Sequence, residues 1–139
     1  MDKNVRRVID ANFNRAREGL RVCEEFVRFF VNDKSLTEDC KKIRNKISSS
    51  YNKYTAGKGA LFSARDVGGD VGRTGFPFER KREGIPDIFW ANIQRTKEAL
   101  RVLEEFSKLE KKALSDEFRK LRFKVYEIEK KAFRKLRKL

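Results

Sequence analysis

A sixteen-residue pattern occurs twice in this chain: ANFNRAREGLRVCEEF from Ala11 to Phe26 returns as ANIQRTKEALRVLEEF from Ala91 to Phe106. Ten of the sixteen positions are identical at a constant offset of eighty, and charged and amide residues are among them. An internal repeat narrows the architecture, because the unit that one copy builds must suit the other. The echo runs on, with Leu36-Thr37-Glu38-Asp39 and Lys42, Arg44, Lys46 matched by Leu114-Ser115-Asp116-Glu117 and Lys120, Arg122, Lys124. Each half reads as helix, polar turn, helix, over about residues 4–54 and 87–139, with a connecting segment of about 55–86.

At roughly 100° per residue, Val5, Ile9, Phe13, Ala16, Leu20, Cys23, Val27 and Phe30 fall on one side of the first helix. Gly19, Val22, Phe26 and Phe29 widen that stripe, while Arg17, Arg21, Glu24 and Arg28 face away. Phe89, Thr96, Ala99, Leu100, Leu103 and Phe106 make the matching stripe after an N-cap at Asp87. Leu36, Cys40, Ile43, Ile47, Tyr51 and Tyr54 line the second helix, and Leu114, Phe118, Leu121, Val125, Ile128 and Ala132 the fourth. Ser35 or Thr37 and Ser115 are their expected starts. The expected fold is all-α, a four-helix bundle of two duplicated hairpins with a long Gly-rich loop between them, in a single domain over residues 1–139. A coiled-coil seam is the rival account of the last helix, whose apolar line continues through Leu136.

No stretch approaches the ~20 apolar residues that span a bilayer, and the start, MDKNVRRVID, lacks a signal-peptide core, so a cytoplasmic protein without membrane contact is expected. The chain has no His. Imidazole catalysis is thereby excluded, and Cys23 and Cys40, on apolar faces without zinc-type spacing, read as buried thiols. Charged residues make up 40% of the chain, a mixture that resembles thermophile surfaces. The net charge of +14 is concentrated late: residues 111–139 hold twelve Lys and Arg against four Asp and Glu. Such a surface attracts nucleic acid or phosphorylated small molecules.

On the wheel, Asn12 and Arg15 enter the apolar stripe with Glu18 at its edge, and Asn92, Arg95 and Glu98 repeat the arrangement. Burying an amide and a guanidinium costs several kcal/mol unless each finds partners. Either Arg–Glu clamps fix the helix pairing, or the two trios surround a polar ligand, for which Gly19 opposite Ala99 leaves room. Glu25 and Glu105 sit near the stripe edge, and Arg21 and Arg101 are expected to pair with them one turn on.

The connecting segment holds seven of the eight Gly and both Pro. Loops of this length are usually binding or lid elements. In Ala64-Arg65-Asp66-Val67-Gly68-Gly69-Asp70-Val71-Gly72-Arg73-Thr74, amides at Gly68, Gly69 and Gly72 could crowd around an anion, Arg65 and Arg73 could fork onto phosphate, and Asp66 and Asp70 could hold magnesium. The same pattern also serves plain turns. No Walker A ending is present, since Gly57-Lys58-Gly59 does not supply it.

Arg7-Val8-Ile9-Asp10-Ala11-Asn12, Asn14 through Val22, Ala64-Arg65-Asp66 with Gly69-Asp70-Val71-Gly72, Ala91-Asn92, Glu98 through Phe106 and Leu121 through Lys130 together resemble the small all-helical hydroxymethylpyrimidine phosphate kinase family, standalone or fused ahead of thiamine phosphate synthase. The resemblance implies transfer of the γ-phosphate of ATP, with Mg2+, to 4-amino-5-hydroxymethyl-2-methylpyrimidine phosphate. Arg15 and Arg95 would clamp phosphates, Asn12 and Asn92 would orient them or the pyrimidine, and Glu18, Glu98, Asp66 and Asp70 would compete for magnesium. Arg65 with Arg73 would close over the triphosphate. A basic helical nucleic-acid-binding protein is the alternative, as is a structural partner for a synthase. Outward aromatics (Phe62, Phe76, Phe78, Trp90, Phe123, Phe133) lead to the expectation of a homo-oligomer, a trimer being one form.

Overall fold

Carboxylates, not hydroxyls, start the first two long helices of this chain. The computed structural model describes residues 2–55, 60–76 and 81–137. Among them are α1 (Lys3–Phe29), α2 (Lys34–Thr55), α3 (Ala60–Ala64), α4 (Ile85–Ser107) and α5 (Lys112–Leu136), an all-helical bundle. Asp2 caps α1 by accepting from the Asn4 and Val5 amides at 2.6 and 3.3 Å. At the far end Asn32 takes a left-handed φ of 56°, which lets Asp33 N–H return to the Val27 carbonyl at 3.0 Å. Asp33 then starts α2 by accepting from Leu36 N–H at 2.8 Å.

Three expected starts are therefore displaced. Thr37 instead donates its hydroxyl to the Asp33 carbonyl, inside the first turn of α2. Asp87 lies in the first turn of α4, whose N-cap is Gly84, and its carboxylate reaches back to Glu83 N–H at 3.0 Å. Ser115 sits within α5 and donates to the Glu104 carbonyl at 2.7 Å, tying α5 to the last turns of α4. The connecting segment also contains α3, which packs on α1, so it is not loop throughout.

The central pair is α1 with α4. Cys23 donates to the Phe89 carbonyl, and the Phe26 and Phe89 rings lie 5.5 Å apart, whereas Asn12 faces Val102, so the two helices run antiparallel. Ile9, Phe13, Ala16, Leu20 and Val27 meet Phe89, Ile93, Leu100 and Leu103 in the buried interior. Phe13 touches Tyr51 of α2 at 5.1 Å and Phe118 of α5 at 5.4 Å, joining three helices through one ring. The apolar line of α5, from Phe118 through Ala132, is buried here, which accounts for it without a coiled-coil partner. Phe29 and Phe30, placed in the stripe by periodicity, are each 65% exposed because α1 has passed its neighbours by then. Trp90 is half-buried against Phe89 and Phe133 and not outward, Phe62, Phe76, Phe123 and Phe133 are exposed, and Phe78 lies outside the described residues.

Two carboxylates that repeat at the offset of eighty are buried, and one of them overturns an expectation. Glu24, expected to face solvent, is fully buried and accepts from Arg44 Nε of α2 at 2.9 Å. Glu104 accepts from Arg122 of α5 at 3.0 and 3.2 Å. The second helix of each half packs over the flank of the first, and an arginine at the matching position meets the acid. Arg21 and Arg101 add outer contacts to these acids and pair with Glu25 and Glu105 at 3.2 and 3.1 Å, as expected.

Arg122→Met should cost about 3–5 kcal/mol in urea unfolding, since it leaves Glu104 buried with only the outer contact to Arg101. Arg21→Met, at a half-exposed pair, should cost no more than about 1 kcal/mol. Equal losses would contradict the clamp.

Both cysteines are buried and free, as expected. Burial pushes the Cys23 thiol well up and the Cys40 thiol to about 12. At pH 8 neither should react with a disulfide reagent in the folded protein, and both should react in denaturant; a fast native thiol would contradict the packing.

Candidate functional site

Close approach of two helices creates the main groove. A Cβ on Gly19 would lie 2.6 Å from Thr96 Oγ1 and 3.1 Å from the Asn92 carbonyl oxygen, so α1 and α4 nearly touch there. Thr96 hands its hydroxyl hydrogen to that same carbonyl at 2.9 Å, which removes a polar group from the contact. Beside the crossing, Asn12, Arg15 and Glu18 of α1 and Asn92, Arg95 and Glu98 of α4 line one cavity of about 510 Å³, with Gly19, Ala99 and Val102 as its apolar part.

Both trios are thus brought together. Their burial differs from the wheel reading: Asn12 is only 4% exposed, but Arg15, Glu18, Arg95 and Glu98 are exposed to the groove. A wheel gives the angle around one helix and not whether a neighbour covers it. The amides of Asn12 and Asn92 donate to the carbonyls of Val8 and Ile88, one turn back, at 2.8 and 2.7 Å. Asn12 Oδ1 in turn receives a long contact from Arg15 Nη1 at 3.5 Å. Among the described residues, no carboxylate bridges Arg15. The Arg–Glu clamps do exist, but Glu24 and Glu104 make them.

An adjoining cavity of about 760 Å³ shares Asn12, Arg15 and Val102 and adds Arg7, Asp10, Arg65, Asp66 and Asp70. Arg65 forks onto Asp10 with both bonds at 2.7 Å and lies over the Phe62 ring at 4.5 Å. Hydrogen bonding to Asp10 raises the Arg65 pKa further. The arginine therefore anchors the loop to α1, and its fork is already engaged by a carboxylate. Asp10, only 3% exposed, escaped assignment from the sequence, because it lies off the apolar stripe of α1 and pairs with a residue far along the chain.

The loop carboxylates are also engaged. Asp66 accepts from Gly69 N–H and Asp70 from Gly72 N–H, each at 2.9 Å, the second an Asx turn. A Cβ at Gly69 would lie 2.2 Å from Asp66 Oδ2, so a side chain there would displace the Asp66 carboxylate. Gly68, Gly69, Gly72 and Arg73 are exposed on the loop and line neither cavity. Among the described residues no three His, Cys, Asp or Glu side chains converge on a metal position. Magnesium commonly takes one or two carboxylates and completes its shell with phosphate and water. The groove, with Glu18 and Glu98 open and arginines beside them, fits a cation that arrives with a phosphate ligand.

Residues 7–131 match the model of the ThiD2 family. The chain belongs to that family. It is similar to proteins named thiamine-phosphate synthase: 40% identical over 126 residues to that of Nostoc punctiforme, covering 90% of this chain and 34% of the relative. The relative in Synechocystis is 39% identical, over 90% of this chain and 35% of its own length, and that in Rhodopirellula baltica 37%, over 89% and 33%. The chain therefore spans about a third of the length of the curated relatives it matches. No solved structure matches it significantly. No helix among the described residues is long and apolar enough to cross a membrane. The family match includes both trios, Asp10 and the whole described loop.

Gly19→Ala tests the crossing that shapes the groove. Helix propensity favours alanine by about 1 kcal/mol, but overpacking against Thr96 and the Asn92 carbonyl should outweigh it, for a net loss of about 1–2 kcal/mol in chemical unfolding. A more stable alanine variant would contradict the close approach.

Proposed function

We propose that this ThiD2-family chain transfers the γ-phosphate of ATP to 4-amino-5-hydroxymethyl-2-methylpyrimidine phosphate, giving the diphosphate used in thiamine biosynthesis. The observation that carries this reading is the open groove in which two arginines, two asparagines and two glutamates of matched sequence position face one cavity. Arginine suits phosphate because its planar fork meets two oxygens at once. The relatives' name adds support, since a thiamine-phosphate synthase consumes the pyrimidine diphosphate that such a kinase makes.

The chemistry asks little of the protein's own acids and bases. A phosphate oxygen of the substrate attacks the γ-phosphorus, a new P–O bond forms, and the bond to the β–γ bridging oxygen breaks to release ADP. The nucleophile is already largely ionised near neutral pH, so no histidine or other strong base is needed. Positioning and charge carry most of the rate. Arg15 and Arg95 clamp the two phosphate ends, and Asn12, held by its bond to Val8, orients them across the groove. Magnesium bound with the nucleotide would neutralise phosphate oxygens, with Glu18 and Glu98 as its protein ligands. Asp66 and Asp70 shape the loop, and Arg65 holds that loop over one end of the groove through Asp10.

Selectivity follows from the same arginines. The free alcohol leaves one guanidinium without its anion, so it should be a poor acceptor. Incubation with ATP, magnesium and the pyrimidine monophosphate should yield diphosphate, with the alcohol turned over at least about a hundredfold less well. Arg15→Met and Arg95→Met should each lower kcat/KM by a hundredfold or more while circular dichroism stays unchanged. Full activity in both variants, or no turnover by the parent protein, would reject the proposal.

A further inference from the structure

The seam between α2 and α5, remote from the groove, collects positive charge that the protein does not neutralise. The two helices run antiparallel, joined by Ser50 to Glu117 at one end and by Lys131 to Asp39 at 2.9 Å and Lys135 to Asp33 at the other. Between these ties lies a cavity of about 630 Å³ floored by Ile43 and Ile128 and edged by Lys42, Lys46 and Lys124. A neighbouring hollow of about 520 Å³ shares Lys46 and Lys124 and adds Lys53 and Lys120.

The carboxylates around this seam are few. Asp39 is taken by Lys131, which leaves Glu127 and Glu117, the latter accepting from the Ser50 hydroxyl, against five lysines. Among the described residues, Lys42, Lys46, Lys53, Lys120 and Lys124 form no ion pair, although Lys97, Lys131 and Lys135 elsewhere each meet an acid. Lys46 and Lys124 face one another, and contact with the Lys46 ammonium holds Lys124 below the ordinary lysine pKa.

The sequence repeat gives the cluster a shape. Lys42 and Lys46 occupy the positions matched by Lys120 and Lys124, each pair one helical turn apart, so each half of the chain supplies one ammonium pair to the same seam. Lysine is a compact point charge and binds phosphate well without a fork geometry. A diphosphate places two anionic groups side by side across a bridging oxygen, one for each pair. The hollow lies within the size range of small-ligand sites.

We propose that the α2–α5 seam binds a compact anion with two linked phosphate groups, free pyrophosphate or the diphosphate of a small molecule, separately from the groove between α1 and α4. Calorimetric titration of inorganic pyrophosphate should be run on a chain carrying Arg15→Met and Arg95→Met, which disables the groove, with and without Lys46→Met and Lys124→Met. Binding should persist in the arginine variant and weaken at least tenfold when the lysines are removed, while orthophosphate at equal ionic strength binds at least tenfold more weakly. Because the lysines are exposed and repel one another, their removal should leave the melting temperature in low salt equal or higher, yet abolish the rise caused by pyrophosphate. ADP competing at the same lysines would identify a nucleotide source, and failure of ADP to compete a free pyrophosphate one. Unchanged pyrophosphate affinity in the lysine variant would overturn the proposal. So would equal binding of orthophosphate, or tighter binding and displacement by a single-stranded oligonucleotide, which would make the seam a nucleic-acid surface.

Discussion

The close approach of α1 and α4 at Gly19 is the contact on which the rest depends. Only a residue without a side chain lets Thr96 and the Asn92 backbone come this near. Once the helices touch there, the residues beside the crossing must line a shared groove, because their spacing of three along each helix keeps them on one face. The antiparallel run then brings Asn12 toward Val102 and Asn92 toward Gly19, so that the trios meet in a single cavity.

Polar residues repeated in the sequence divide into two physical classes. Glu24 and Glu104 are buried and paired with Arg44 and Arg122, and they hold each second helix against its first. Arg15 and Glu18, with Arg95 and Glu98, are exposed along the groove, with Asn12 and Asn92 more covered beside them. The protein thus uses different acids for holding itself together and for facing solvent. A further asymmetry comes from the loop, which Arg65 and Asp10 pin beside the Asn12 end of the groove.

Much of this was legible in the sequence. The repeat and the apolar periodicity located the long helices, and the trios were recognisable because charged residues that recur inside an apolar stripe need a reason. Periodicity failed where a third helix decides burial. Glu24 looks solvent-facing on a wheel of α1 alone, and only α2 with Arg44 makes that side interior. Arg15 looks buried on the same wheel, and only the absence of a covering helix over it among the described residues leaves it open. Asp66 and Asp70 show a different limit, since an Asp next to glycines reads as a metal ligand or as part of a turn, and both carboxylates here accept from glycine amides of their own loop. Asp10 as the loop's anchor required knowing that residue 65 folds back on residue 10.

The proposed kinase reading rests on two arginines of matched sequence position lining one groove. A crystal structure with a non-hydrolysable ATP analogue, magnesium and hydroxymethylpyrimidine phosphate tests it most directly. The account predicts phosphate oxygens within hydrogen-bonding distance of Arg15 and Arg95, between α1 and α4. Phosphates bound elsewhere, with only solvent between those two arginines, would contradict it.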